Sequence, residues 1–481
     1  MRRTSRRLIG TWIAAVALLV AVPASAQAIT LSGLVAQPAS SQAGAHSDFH
    51  LHMDFGNGQV KDLTVGLPPG QVGDPNATPQ CTEAQLNSAT AGNDGCSANT
   101  QVGTVVANAT ITVGVLPVTL NVSGKLYNVT PHPGEPARFG IVLQPGNLGG
   151  AVTLPLPPII LQSAVQLRPD FGLNTIINDI PNSTQGLPTT INSQDITLFG
   201  IAPVTGKPFM RNPTSCDQHT TTFTAIPYSG PTDSGSASFT PTNCGALDFS
   251  PAFTAIVGGP GGTAQGGQTT AITSIDQDND EAGLINAHVF VPPDLAPNTL
   301  TDLLSHRCPP ADFQAGTCLG NTVVGNAIAT SPLLSQGLAG QVLLVDNGGL
   351  LPNIGLDLRG QLHLLLQGSL NVDKSVTFGD LPPGLPDIPI SHFQLAFTNP
   401  PGLLIANRDL CVGPPPVFHA DFTGYNGATT SVDSPARVQG CGGGSNAAKC
   451  KKAKKKHKHR AAESKKQKKR SCKKKQRKKH R

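Results

Sequence analysis

The stretch 96-CSANTQVGTVVA-107 returns further along the chain as 318-CLGNTVVGNAIA-329. Both read C-x-x-N-T-x-V-G-x-x-x-A. An earlier cysteine precedes each, Cys81 in one case and Cys308 in the other. Downstream, 212-NPTSC-216 is answered by 407-NRDLC-411, and a last cysteine, Cys244 or Cys441, closes each series. Smaller echoes keep the same order. Phe139-Gly140-Ile141-Val142-Leu143 answers Ile354-Gly355-Leu356-Asp357-Leu358, and Asp179-Ile180-Pro181 answers Asp380-Leu381-Pro382. Cysteines, glycines and turn residues recurring in one order mark two copies of one unit. We place them at 27–250, with room for two subdomains, and 251–441.

The residues between these anchors favour strands. The chain holds 52 Gly and 42 Pro in 481 residues, which leaves few runs long enough for a helix. Thr, Val and Ile fill the short runs between breakers. The expected fold is therefore all-β: tandem, disulfide-stapled, β-sandwich-like units. Aromatic residues make up only 4% of the chain, so the cores must be lean.

Before the first unit, Arg2, Arg3, Arg6 and Arg7 precede the apolar run 8-LIGTWIAAVALLVAV-22 and Ala24-Ser25-Ala26. That is the pattern of a signal peptide over 1–26. No later apolar stretch is long enough to cross a membrane as a helix. Exported cysteines meet an oxidising compartment and are read as disulfides. Pairing by neighbours joins Cys81 to Cys96, Cys216 to Cys244, Cys308 to Cys318 and Cys411 to Cys441, with crossed pairings left open. Each loop contributes about 3 kcal/mol in the chain-entropy model.

Several motifs carry the resemblance of this chain to known sequences. They are LPPG at 67–70, the Cys81–Cys96 pair with N-T-x-V-G, 126-LYNVTPHPGEPARFGIVL-143, 212-NPTSC-216 and the Lys-rich end. With them the chain resembles a group of repetitive secreted proteins from actinobacteria. The resemblance implies a secreted or wall-associated location and a repeat pattern, and it brings no catalytic residue. The second unit departs from it in lacking the LYNVTPHPGEPA element.

Three local patterns invite a functional reading. In 46-HSDFHLHMDF-55, His50, His52 and Asp54 alternate with Phe49, Leu51, Met53 and Phe55. Alternation sets the polar three on the wet face of a strand. They would lie about 6.5 Å apart along it, long for one zinc. Matching this strand to 285-INAHVFV-291 puts Asn286, His288 and Phe290 in their places, so the ligands are not shared by both copies. The acidic run 274-SIDQDNDEAG-283 has Asp276, Asp278 and Asp280, but Glu281 and Ala287 stand where a calcium-binding EF-hand loop needs Gly and Glu. No nucleophile elbow, zinc-protease helix, P-loop or dinucleotide fingerprint occurs. The expectation is no enzyme, no cofactor and no metal.

The C-terminal segment 442–481 is the strongest signal. Of the 35 Lys and Arg, 20 lie in 449–481, against one acidic residue there, Glu463. The mature body before it is net acidic. A run of one sign self-repels, so disorder is expected. Lys451, Lys452, Lys454, Lys455, Lys456, Lys465, Lys466, Lys468, Lys469, Lys473, Lys474 and Lys475 are the candidates for contacting a polyanion. After export that means an anionic cell-wall polymer or lipid headgroups rather than a specific nucleic acid. Cys450 and Cys472 in this segment have no assigned partner. The expected function is non-enzymatic, structural or adhesive, at the cell surface. Two alternatives stand beside it. One is an extracellular hydrolase with a dispersed active site. The other is a surface-layer subunit that self-associates through acidic body and basic tail.

Overall fold

The computed structural model describes residues 28–145, 147–148, 154–298, 305–398 and 402–441. The expected signal segment, Cys450, Cys472 and all the candidate tail lysines lie outside them. Among the described residues no helix is long and apolar enough to cross a membrane.

The first unit is built from β1 (Thr30–Pro38), β2 (Phe49–Gly56), β3 (Val60–Leu67), β4 (Gln101–Val113), β5 (Leu116–Val129), β6 (Arg138–Gln144), β7 (Ile159–Leu167), β8 (Leu173–Ile177), β9 (Leu187–Leu198), β10 (His219–Pro227) and β11 (Asp233–Phe239). The second comprises β12 (Ala252–Gly258), β13 (Gln268–Asp276), β14 (Leu284–Phe290), β15 (Val323–Thr330), β16 (Leu338–Val345), β17 (Asn353–Arg359), β18 (His363–Leu370), β19 (Ser375–Phe378), β20 (His392–Phe397), β21 (Val417–Gly424) and β22 (Thr429–Pro435).

The spatial order in the first is β1-β2-β9-β4-β5-β6-β7-β8-β3-β10-β11. In the second it is β12-β13-β20-β15-β16-β17-β18-β19-β14-β21-β22. Strand n of the first copy is strand n + 11 of the second throughout, and every neighbouring pair is antiparallel. The duplication read from the cysteines is thus a duplication of topology. In each copy one continuous sheet rolls round one core until its first and last strands lie side by side. In the first, the Leu31 N–H donates to the Asp233 carboxylate at 2.7 Å across that junction. One core gathers Phe49, Met53, Leu63 and Phe223, and the other Val257, Leu344, Leu356 and Phe418.

Each copy carries the same small flap. A helix, α1 (Glu83–Leu86) or α2 (Pro310–Ala315), lies inside the loop closed by Cys81–Cys96 or Cys308–Cys318. Leu86 and Phe313 are the buried residues of these helices. They sit over Gly140 of β6 and Gly355 of β17, strand positions that had already echoed each other in sequence. A Cβ on Gly140 would lie 2.6 Å from a Leu86 methyl, and one on Gly355 would lie 2.7 Å from the Phe313 ring. Backbone approach this close is why glycine stands there. Gly140→Ala and Gly355→Ala are each expected to cost about 1–3 kcal/mol, measured by urea unfolding. Gly245→Ala, where an added Cβ meets nothing within 4 Å, should be near neutral.

The strand of the LYNV motif does have a counterpart, contrary to the sequence reading. Gly124 and Gly340 sit opposite Val105 and Ala327 in the two ladders, so 126–129 corresponds to 342–345. What the second copy lacks is the polar pair. Tyr127 donates to Asp94 at 2.7 Å, and Asn128 donates to the Pro75 carbonyl at 2.8 Å. Leu343 and Leu344 replace them.

Candidate functional site

The cysteines fall as their order suggested. Cys81–Cys96, Cys216–Cys244 and Cys308–Cys318 are disulfides with Cα separations of 5.6, 5.9 and 5.4 Å. Cys411 and Cys441 are disulfide-bonded as well.

His50, His52 and Asp54 lie on the outer face of β2, while Phe49, Leu51, Met53 and Phe55 are buried. Their ring nitrogens meet cross-strand partners on β9. His50 Nδ1 is 3.1 Å from Thr197 Oγ1, and His52 Nδ1 is 2.7 Å from Asp195 Oδ1. Among the described residues no three or more His, Cys, Asp or Glu converge as a metal group. Partial burial opposes protonation of His52, but the hydrogen bond and charge of Asp195, with Asp54, outweigh it and raise its pKa above 6.5. A raised folded pKa adds stability that is fully present below pH 6.5 and lost as pH rises through the folded value. The advantage of wild type over His52→Gln should therefore shrink from pH 6 to pH 9 in paired thermal melts.

The strand match made for these residues needs correction. Strand 285–291 corresponds to β3, not β2, because β14 lies between β19 and β21 as β3 lies between β8 and β10. The true partner of β2 is β13. Gly103 and Gly325 align the two copies through β9 and β20. The ladders then place Ala271, Thr273 and Ile275 where the first copy has Phe49, Leu51 and Met53. His50, His52 and Asp54 become Ile272, Ser274 and Asp276. The histidines are still not shared; the inward face is kept, with Ala271 and Ile275 buried, but Thr273 stands in it where the first copy has Leu51.

In the acidic run, Asp276 meets His392 at 2.7 Å on the outer face. Glu281 is buried and accepts from Ser250.

Two interior features were not anticipated. The first is a polar seam between the two rolled sheets. Asp387, 3% exposed, accepts from the Thr214 N–H at 2.7 Å and from the Thr214 hydroxyl. That hydroxyl oxygen accepts from the Gly283 N–H, and Arg211 donates to the Glu281 carbonyl at 2.6 Å. Burial pushes the Asp387 carboxyl up and the Arg211 guanidinium down. Burial together with Asp387 moves the Tyr425 phenol up to about 12. Beside the seam, Ser215 Oγ and His219 Nε2 are 3.0 Å apart; a second Ser–His pair, Ser375 Oγ and His288 Nε2 at 2.7 Å, joins β19 to β14, with the Ser375 hydroxyl donating to Asp373. Ser215 is 4% exposed and Ser375 is fully buried. Burial lowers the His219 pKa, and a backbone hydrogen bond to Pro69 holds the ring.

The second feature is a cavity of about 110 Å³ inside the second unit. Ala271, Thr273 and Ile275 line it together with Leu356, Phe378 and Phe393, and no charged side chain does. The first copy is filled at the matching place by Phe49 and Leu51. Its own void, near Phe139 and Phe209, is only about 30 Å³. An unfilled apolar space of the larger size costs about 2–3 kcal/mol on the scale of core truncations. The sequence signal was present in Ala271 and Thr273, but the mismatched strand concealed it.

No protein-family model and no curated protein matches the chain. Among solved structures, it is similar to a Corynebacterium diphtheriae protein provisionally described as a membrane anchored protein. That likeness covers 85% of this chain and 93% of the other, at 9% identity and a TM-score of 0.18. So loose a match fixes neither fold nor function.

Proposed function

We propose that the chain is a non-enzymatic, exported, disulfide-stapled protein held at an anionic cell surface by its Lys-rich end, as the resemblance to repetitive secreted actinobacterial proteins implies. The observation that carries this reading is the charge division. Of the 35 basic residues, 20 fall in 449–481, and of the 29 acidic residues all but Glu463 precede that segment. Disulfides in both units fit an oxidising compartment. A body whose histidines on β2 are tied to β9, and whose two Ser–His pairs have buried serines, supports a scaffold rather than a hydrolase. The partner is a wall polymer or lipid headgroup, bound through many lysines by release of counterions. The experiment is fractionation of the native cell into medium, wall and membrane, followed by stepwise salt extraction. Protein found in the wall or membrane fraction and released by salt supports the reading. Protein found wholly in the medium sinks it.

A further inference from the structure

We propose that the cavity of the second unit is a binding site for an uncharged hydrocarbon group, a ring or chain end of about six carbons. The size follows from a comparison: an engineered apolar cavity of about 150 Å³ stays dry and takes up benzene. The present one, at about 110 Å³, is of the same order. Its chemistry follows from the lining. Leu, Ile, Val and Phe side chains surround it, and a carboxylate or ammonium would enter without a partner.

Polar side chains occur at one end only in part. Gln277, Thr330 and Ser331 stand where β13 and β15 stop, beside Leu334, Ile388 and Ile390. The amide of Gln277 is already committed to the Ala282 carbonyl at 3.2 Å, so recognition rests on shape and apolarity, with the hydroxyls of Thr273, Thr330 and Ser331 as the remaining polar lining. Several inward-facing residues there, among them Thr273, Ala329 and Phe393, remain partly accessible although the strand pattern would bury them.

The contrast between copies carries the inference furthest. Both units have one topology, yet the void in the second is about 110 Å³ against about 30 Å³ in the first. Phe49 and Leu51 became Ala271 and Thr273. Phe393 and Phe397, standing for Gln194 and Leu198 on the adjacent strand, return part of the lost volume but do not close the space. A pure scaffold gains nothing from a void in one of two equivalent cores.

The test is thermal unfolding and NMR titration of the full chain with two probes, benzene and 1-hexanol. Wild type should show a saturable rise in melting temperature, as mass action requires of a ligand that binds only the folded state. Methyl shifts should be confined to residues such as Ala271, Ile275, Leu334 and Leu356. Ala271→Phe, which restores the aromatic ring of the first copy, should weaken binding by about tenfold or more. Thr273→Leu is a gentler filling that should weaken it in the same direction, and it decides the matter if Ala271→Phe does not fold. The proposal is overturned if neither probe gives a saturable shift up to its solubility limit. It is equally overturned if a folded filling variant binds as well as wild type. Neither outcome touches the tail, so surface retention stands or falls separately.

Discussion

Removing residues 449–481 is expected to release the protein from anionic surfaces without unfolding it. The segment carries 20 basic residues and one acidic residue. If six to ten of its cations engage a polyanion, affinity should fall by about 10³–10⁵ between 50 and 200 mM salt, by analogy with nucleic-acid phosphates. Exposed charges more than about 8 Å apart are screened at physiological salt, so the acidic body should not suppress that binding. The same segment fused to an unrelated exported protein should bind isolated walls and wash off with salt. Unfolding curves of intact and truncated chains should coincide, since both cores are complete before Gly440. Truncated protein that stays wall-bound would place the contact in the β units and end the proposal.

The second large effect is expected at the seam. Asp387→Ala should destabilise the fold by about 2–4 kcal/mol, because it strands the buried Thr214 donors and removes the charge facing Arg211. Asp387→Asn separates shape from ionisation. Burial raises the folded pKa of Asp387 above 3.8, against the opposing pull of Thr214, Arg211 and His219. A raised folded pKa gives stability that is complete below pH 3.8 and lost as pH climbs through the folded value. Wild type should therefore gain less than Asp387→Asn on moving from pH 4 to pH 7. Urea unfolding across that range reads the difference. Parallel pH curves for the two proteins would show that the carboxyl is not perturbed.

The all-β class, the duplication and the disulfide neighbours were legible because each rests on local marks. Gly and Pro cut the chain into short runs, and N-T-x-V-G follows a cysteine twice. The alternation over 49–55 correctly buried Phe49, Leu51, Met53 and Phe55. The same alternation misled in choosing a partner strand. A period of two is common to every half-buried strand, so 285–291 fitted β2 as well as it fitted β3. Only the ladder partners tell them apart. The seam was illegible for a different reason. Thr214 and Asp387 are 173 residues apart, and nothing near either one announces the other. The cavity needed both kinds of knowledge, the correct pairing and the facing residues of neighbouring strands.

The junction between β1 and β11 has a consequence for the order of assembly. Leu31 and Asp233 are separated by 202 residues, so the first unit cannot close until almost all of its chain has emerged. Until then β1 and its neighbours present a bare edge, a template for pairing with other chains. Non-local closure of this kind is intrinsically slow. A nascent chain halted after β9 would hold most of the sheet and none of the seal. Such a chain exposes that edge, and the finished molecule does not.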